Sequence, residues 1–147
     1  MKRAPKRWPA LGGALLALSA LPACAGSEPL SAENAWIREA PPGAPVMAGY
    51  LRLHNHSDQP VRCSRASGAD FGAIEIHRTL VEDGKSRMLR DQTVEVPAGG
   101  SAELAPGGYH LMLFRPQRPL AAGDTARVAL HCDGRDLAVD FTVRSAP

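Results

Sequence analysis

From residue 47 onward the chain runs as short stretches in which apolar and polar residues alternate, and no segment of useful length repeats at the helical period. Leu51 and Leu53 fall on one side of such a run while Tyr50, Arg52 and His54 fall on the other. Near the carboxyl end, Leu137, Val139, Phe141 and Val143 mark the buried side of another. Nine runs read as strands: residues 47–54, 61–66, 74–79, 86–89, 93–96, 101–104, 109–114, 125–132 and 137–143. Turn-forming residues separate them at 55–60, Asp83-Gly84, 97–100, 106–108, Gly123-Asp124 and Asp133-Gly134. Short antiparallel strands with one wetted face predict an all-β sandwich of two sheets.

The first 25 residues break this pattern. Lys2, Arg3, Lys6 and Arg7 precede an uncharged stretch rich in Leu and Ala, and small residues follow, which is the layout of an export signal. Its apolar core, from Ala10 to Ala23, is shorter than the ~20 residues that span a bilayer as a helix. Two processing readings compete: ordinary cleavage after Ala23-Cys24-Ala25, and a lipobox at Leu21-Pro22-Ala23-Cys24 that would lipidate Cys24. The expected organisation is therefore a signal at 1–25, a polar lead-in at 26–34 and a single domain at 35–147, a length that suits one core.

Removing the leader changes the charge. Of 17 Lys and Arg, four lie in the signal, leaving 13 against 15 Asp and Glu, a net of −2. No basic cluster remains to support a nucleic-acid partner, and a membrane contact is expected only through a lipid at Cys24. Cys63 and Cys132 form an even pair in the exported region, as a disulfide suited to an oxidising compartment or as two small buried thiols.

Against this background four residues call for a chemical explanation. In Tyr109-His110-Leu111-Met112-Leu113 the apolar residues take one face, so His110 and Met112 lie side by side on the other. In Ile74-Glu75-Ile76-His77 the isoleucines point inward and His77 outward. Met88 follows with ten residues between it and His77, across a turn at Glu82-Asp83-Gly84. Two imidazoles and two thioethers form a soft, neutral donor set that favours Cu(I) over zinc, calcium or magnesium, whose sites use thiolate or carboxylate.

The spacing carries a further likeness. His77, ten residues, Met88, twenty-one residues, His110, one residue, Met112 resembles the ligand pattern of the periplasmic PCuAC copper chaperones. Neighbouring segments match as well: Ala35-Trp36-Ile37-Arg38, Ala40-Pro41-Pro42-Gly43, Ala48-Gly49-Tyr50-Leu51, Glu75-Ile76-His77, Val96-Pro97-Ala98-Gly99-Gly100 and Leu104-Ala105-Pro106-Gly107-Gly108-Tyr109. The resemblance implies a cupredoxin-like Greek-key β-sandwich, a monomer in the periplasm, with one Cu(I) held by His77, Met88, His110 and Met112 at an exposed site. It also implies delivery of copper to the CuA-bearing subunit of cytochrome c oxidase, alongside a Sco-type thiol protein. Many relatives have Met directly after the first His; here Arg78 stands there, and it is expected to place a cation beside the site.

Other candidates weigh less. His54 and His56 flank Asn55 in a polar turn, Met47 opens a strand, and His131 adjoins Cys132; each is expected to be structural or solvated. No Ser or Cys lies in a recognisable nucleophile context, so no enzyme is expected. A blue-copper centre would need a Cys thiolate with His and Met close downstream, which neither Cys63 nor Cys132 has. The alternative that the sequence leaves standing is a copper sequestration or uptake protein using the same four residues.

Overall fold

The computed structural model describes residues 28–145, so the export signal, Cys24 and the question of its lipidation lie outside the described residues. Ten strands and no helix are found among them: β1 (Leu30–Arg38), β2 (Val46–Asn55), β3 (Val61–Ser67), β4 (Phe71–Glu82), β5 (Lys85–Leu89), β6 (Val94–Val96), β7 (Ser101–Leu104), β8 (Tyr109–Pro116), β9 (Thr125–Cys132) and β10 (Arg135–Arg144). The expected all-β class holds.

The arrangement is one continuous hydrogen-bonded sheet that closes on itself. Its order is β5-β4-β8-β7-β2-β1-β10-β9-β3-β6, and the additional pairings β4–β3 and β8–β2 turn it into a barrel-like ring. Closure rests on the pairing of Ala66 with Ile74. β2 serves two partners in succession: Val46–Gly49 pairs with β8, and Leu51–His54 pairs with β7. All ladders are antiparallel except β1–β10 and the single β7–β8 pair.

Hairpin chemistry sets the registers near the site. Asp83 and Gly84, with φ of 49° and 72°, form the two-residue turn that pairs Glu82 with Lys85. Asp133 and Gly134, at 44° and 76°, do the same between Cys132 and Arg135. Two consecutive residues at positive φ match the right-handed twist of the flanking strands, and Asp-Gly tolerates that conformation best.

β1 was not among the nine expected strands, and it begins at Leu30, inside the segment read as a polar lead-in. Its register against β2 shifts between Glu33 and Trp36, and Asn34 takes φ 52°. Such a bulge breaks the two-residue alternation: Leu30 and Ile37, both buried, have opposite parity in sequence. The core fills the ring with Ile37, Leu51, Leu53, Ile76, Leu111, Leu113, Val128, Leu130, Phe141 and Val143. Cys63 and Cys132, directly paired across β3 and β9, form a disulfide with Cα atoms 4.0 Å apart.

Candidate metal centre

The β4–β8 ladder sets His77 directly opposite His110 and Glu75 directly opposite Met112. Residues two apart on a strand share a face, so all four side chains start from the same side of the sheet. The β4–β5 hairpin pairs Thr79 with Met88, which puts Met88 on that face too, diagonal to His77. The four residues singled out by their spacing thus share one face, with His77 Nδ1 3.4 Å from Met88 Sδ and the two imidazole centroids 5.8 Å apart, edge to face. Two donors sharing one tetrahedral ion at about 2.0 and 2.3 Å would stand roughly 3.5 Å apart, so the His77–Met88 spacing fits a common ion.

The site is less open than expected at its imidazoles and more open at a thioether. His77 and His110 are 2% and 5% exposed, whereas Met88 is 50% exposed and Met112 is half-buried. The burial has an identifiable cause: Phe114, two residues beyond Met112 on β8, lies edge-on to the His77 ring at 6.1 Å. An imidazole deep on the face and a thioether at its rim make a site whose outermost ligand reaches solvent.

Both rings are fixed by acceptors. His110 Nδ1 lies 3.1 Å from the Gly108 carbonyl oxygen, which accepts only, so Nδ1 carries the proton and Nε2 keeps the lone pair. The same carbonyl accepts the Thr79 N–H at 3.0 Å. His77 Nε2 lies 2.7 Å from Glu75 Oε2. Arg90 reaches the same carboxylate, with Nη2 3.1 Å from Oε2 and 3.3 Å from Oε1. The hydrogen bond with His77, opposed by partial burial and seconded by Arg90, holds the Glu75 carboxyl below its usual range, so it is an anion that accepts.

Glu75, Arg90 and Phe114 are site residues that the spacing did not reveal. Strand alternation carried the signal for Glu75, since it precedes His77 by two on a strand already read as facing outward. Arg90, past the end of β5, had no such signal. Arg78 corrects an expectation. Being adjacent to His77 it points to the opposite face, where its guanidinium lies 4.9 Å from the centre of the Tyr109 ring. The cation beside the site is Arg90, and it is neutralised by Glu75.

The remaining candidates are occupied elsewhere. His54 Nε2 lies 3.0 Å from Glu33 Oε1, and His56 Nε2 lies 2.8 Å from Ser31 Oγ. Met47 is buried in the core. His131 lies between Ser67 Oγ at 2.9 Å and Asp136 Oδ1 at 2.6 Å, a relay whose atoms match a hydrolytic triad. It lies on the outer surface of three neighbouring strands. Acyl transfer also needs N–H donors converging on an oxyanion, and strand N–H groups point into the ladder instead.

Comparison with known proteins gives the family and the fold. The LpqE-like family model matches residues 30–143. Lxx21020 of Leifsonia xyli subsp. xyli (strain CTCB07), which bears a lipoprotein name, is 29% identical over 98 residues, 66% of this chain. The chain spans about half the length of the curated relatives it matches, 58% and 48% of theirs. The copper-bound PCuAC domain from PmoF2 superposes with a TM-score of 0.68 at 22% identity, over 81% of this chain and 95% of that domain. The CuI form of DR1885 from Deinococcus radiodurans is 30% identical over 86% of this chain and 81% of its own, with a TM-score of 0.56. The chain belongs to the LpqE-like family and has the fold of the PCuAC domains, the family that its motif resembles.

Proposed function

We propose that this protein is an extracytoplasmic Cu(I) carrier that holds one ion on His77, Met88, His110 and Met112. The observation that carries the reading is the 3.4 Å approach of His77 Nδ1 and Met88 Sδ on a face that also bears His110 and Met112. Two imidazoles and two thioethers bring no charge, which suits a monovalent soft ion and leaves it transferable, since no thiolate anchors it. Met88, half exposed, is the ligand that an acceptor displaces first; the buried imidazoles release last. The copper named for the matched PmoF2 and DR1885 structures supports the same cargo here.

The finer points extend this reading. The closed ten-strand sheet is a variant of a cupredoxin-like Greek-key sandwich. The lipoprotein name of the Leifsonia relative supports an anchor at Cys24, with the domain facing the periplasm as a monomer. The acceptor is the CuA-bearing subunit of cytochrome c oxidase, with a Sco-type thiol protein acting beside it. A strain lacking this protein tests the assignment. Loss of oxidase activity that returns with added copper supports delivery, whereas normal oxidase activity with altered copper tolerance supports sequestration or uptake instead.

A further inference from the structure

The two histidines of the site use opposite ring nitrogens, and the cause lies in a residue outside the four ligands. His110 is fixed by a backbone carbonyl, a partner that substitution of a side chain does not remove. His77 depends on a side chain. Its Nε2 is 2.7 Å from Glu75 Oε2, and Glu75 is in turn gripped by Arg90 through both carboxylate oxygens. With the proton on Nε2, Nδ1 presents a lone pair to Met88 Sδ, itself only an acceptor, at 3.4 Å. Two lone pairs facing each other without a proton between them form a gap that a cation fills.

We infer that Glu75 is a positioning residue: by accepting the Nε2 proton of His77 it makes Nδ1 the copper-facing atom, while Arg90 fixes the carboxylate. The inference rests on the Cu(I) reading for its consequence, though the ring state can be observed without any metal. Without Glu75 the imidazole is free to place its proton on Nδ1 and donate to Met88 Sδ, which closes the gap and costs binding its second donor. The burial of His77 magnifies the effect, because water has little access to replace the lost acceptor.

The test is made first on the metal-free, uniformly 15N-labelled protein, with long-range proton–nitrogen correlation spectra reporting the tautomer of each ring. The wild type is expected to carry the proton on Nε2 at His77 and on Nδ1 at His110. Glu75→Ala is expected to lose the bias at His77 only, and to weaken Cu(I) binding, in competition with a chromophoric chelator, by about 10–100-fold. Glu75→Gln, whose amide oxygen still accepts, should restore most of both. Arg90→Ala should move both readouts in the same direction by less, and its exposed side chain separates this effect from misfolding. A wild-type His77 protonated on Nδ1, or a Glu75→Ala protein with unchanged tautomer and affinity, overturns the inference. If the wild type takes up no Cu(I), the carrier reading fails, and the apo spectra still decide what Glu75 does to His77.

Discussion

His77 and His110 face one another across the β4–β8 ladder, ring centroids 5.8 Å apart, each with one nitrogen committed to a protein acceptor and the other left over. That pairing puts the two imidazoles of the proposed copper site on one face of an antiparallel ladder. Direct cross-strand neighbours are close enough for two side chains to reach one ion; Met112, two residues beyond His110 on β8, and Met88, on the neighbouring β5, are the further donors proposed.

Substitutions of ligand and core should separate cleanly. Met88 is half exposed, so Met88→Leu is expected to change stability by no more than about 0.5 kcal/mol while lowering Cu(I) affinity. Leu111, fully buried beside the site on the inner face, should behave in the opposite way: Leu111→Ala is expected to cost about 2–5 kcal/mol. Urea unfolding and chelator competition on the same preparations read both quantities.

Arg78 stands where many relatives of the motif have Met, yet it lies on the Tyr109 side of the sheet. Arg78→Met should therefore leave Cu(I) affinity within about threefold, a change of under ~0.7 kcal/mol. A gain of tenfold or more would mean that residue 78 reaches the copper face.

The Cys63–Cys132 disulfide closes a separation of 69 residues. On the chain-entropy estimate it contributes about 4 kcal/mol, so the Cys63→Ala/Cys132→Ala protein should show a urea midpoint lowered accordingly. Its Cu(I) affinity should hold under folding conditions, because β3 and β9 carry no ligand.

Glu33 supplies a pH dependence on the far side of the fold. The hydrogen bond from His54, and less strongly the charges of His54 and Arg52, hold its carboxyl below the usual 4.5. A depressed folded pKa means that the stability it contributes is present above about pH 4.5 and is lost as pH falls through the lower folded value. The difference in urea midpoint between wild type and Glu33→Gln should accordingly be present at about pH 6 and shrink as the pH is taken below 4.5.

Much of this was legible in the sequence where alternation is regular. The ladder strands around the site and the shared outward face of His110 and Met112 follow from a period of two, the two hairpins follow from their Asp-Gly turns, and the face of Met88 follows only from the β4–β5 register. β1 was hidden because the bulge at Glu33 to Trp36 flips the parity of its buried residues. Ring closure depends on the pairing of Ala66 with Ile74, a long-range contact with no local signal. The direction of Arg78 was readable, since neighbours on a strand oppose one another; proximity in sequence to His77 outweighed it. Arg90 required tertiary information, because its reach to Glu75 spans 15 residues.

The proposed site places one Cu(I) between His77, Met88, His110 and Met112. Anaerobic titration of the protein with Cu(I) against a chromophoric chelator, run on wild type beside His110→Ala, tests it most directly. One ion per chain is expected for the wild type, with a loss of at least tenfold in affinity for His110→Ala at unchanged fold. Equal affinity in the two proteins, or no copper retained by the wild type, would contradict it.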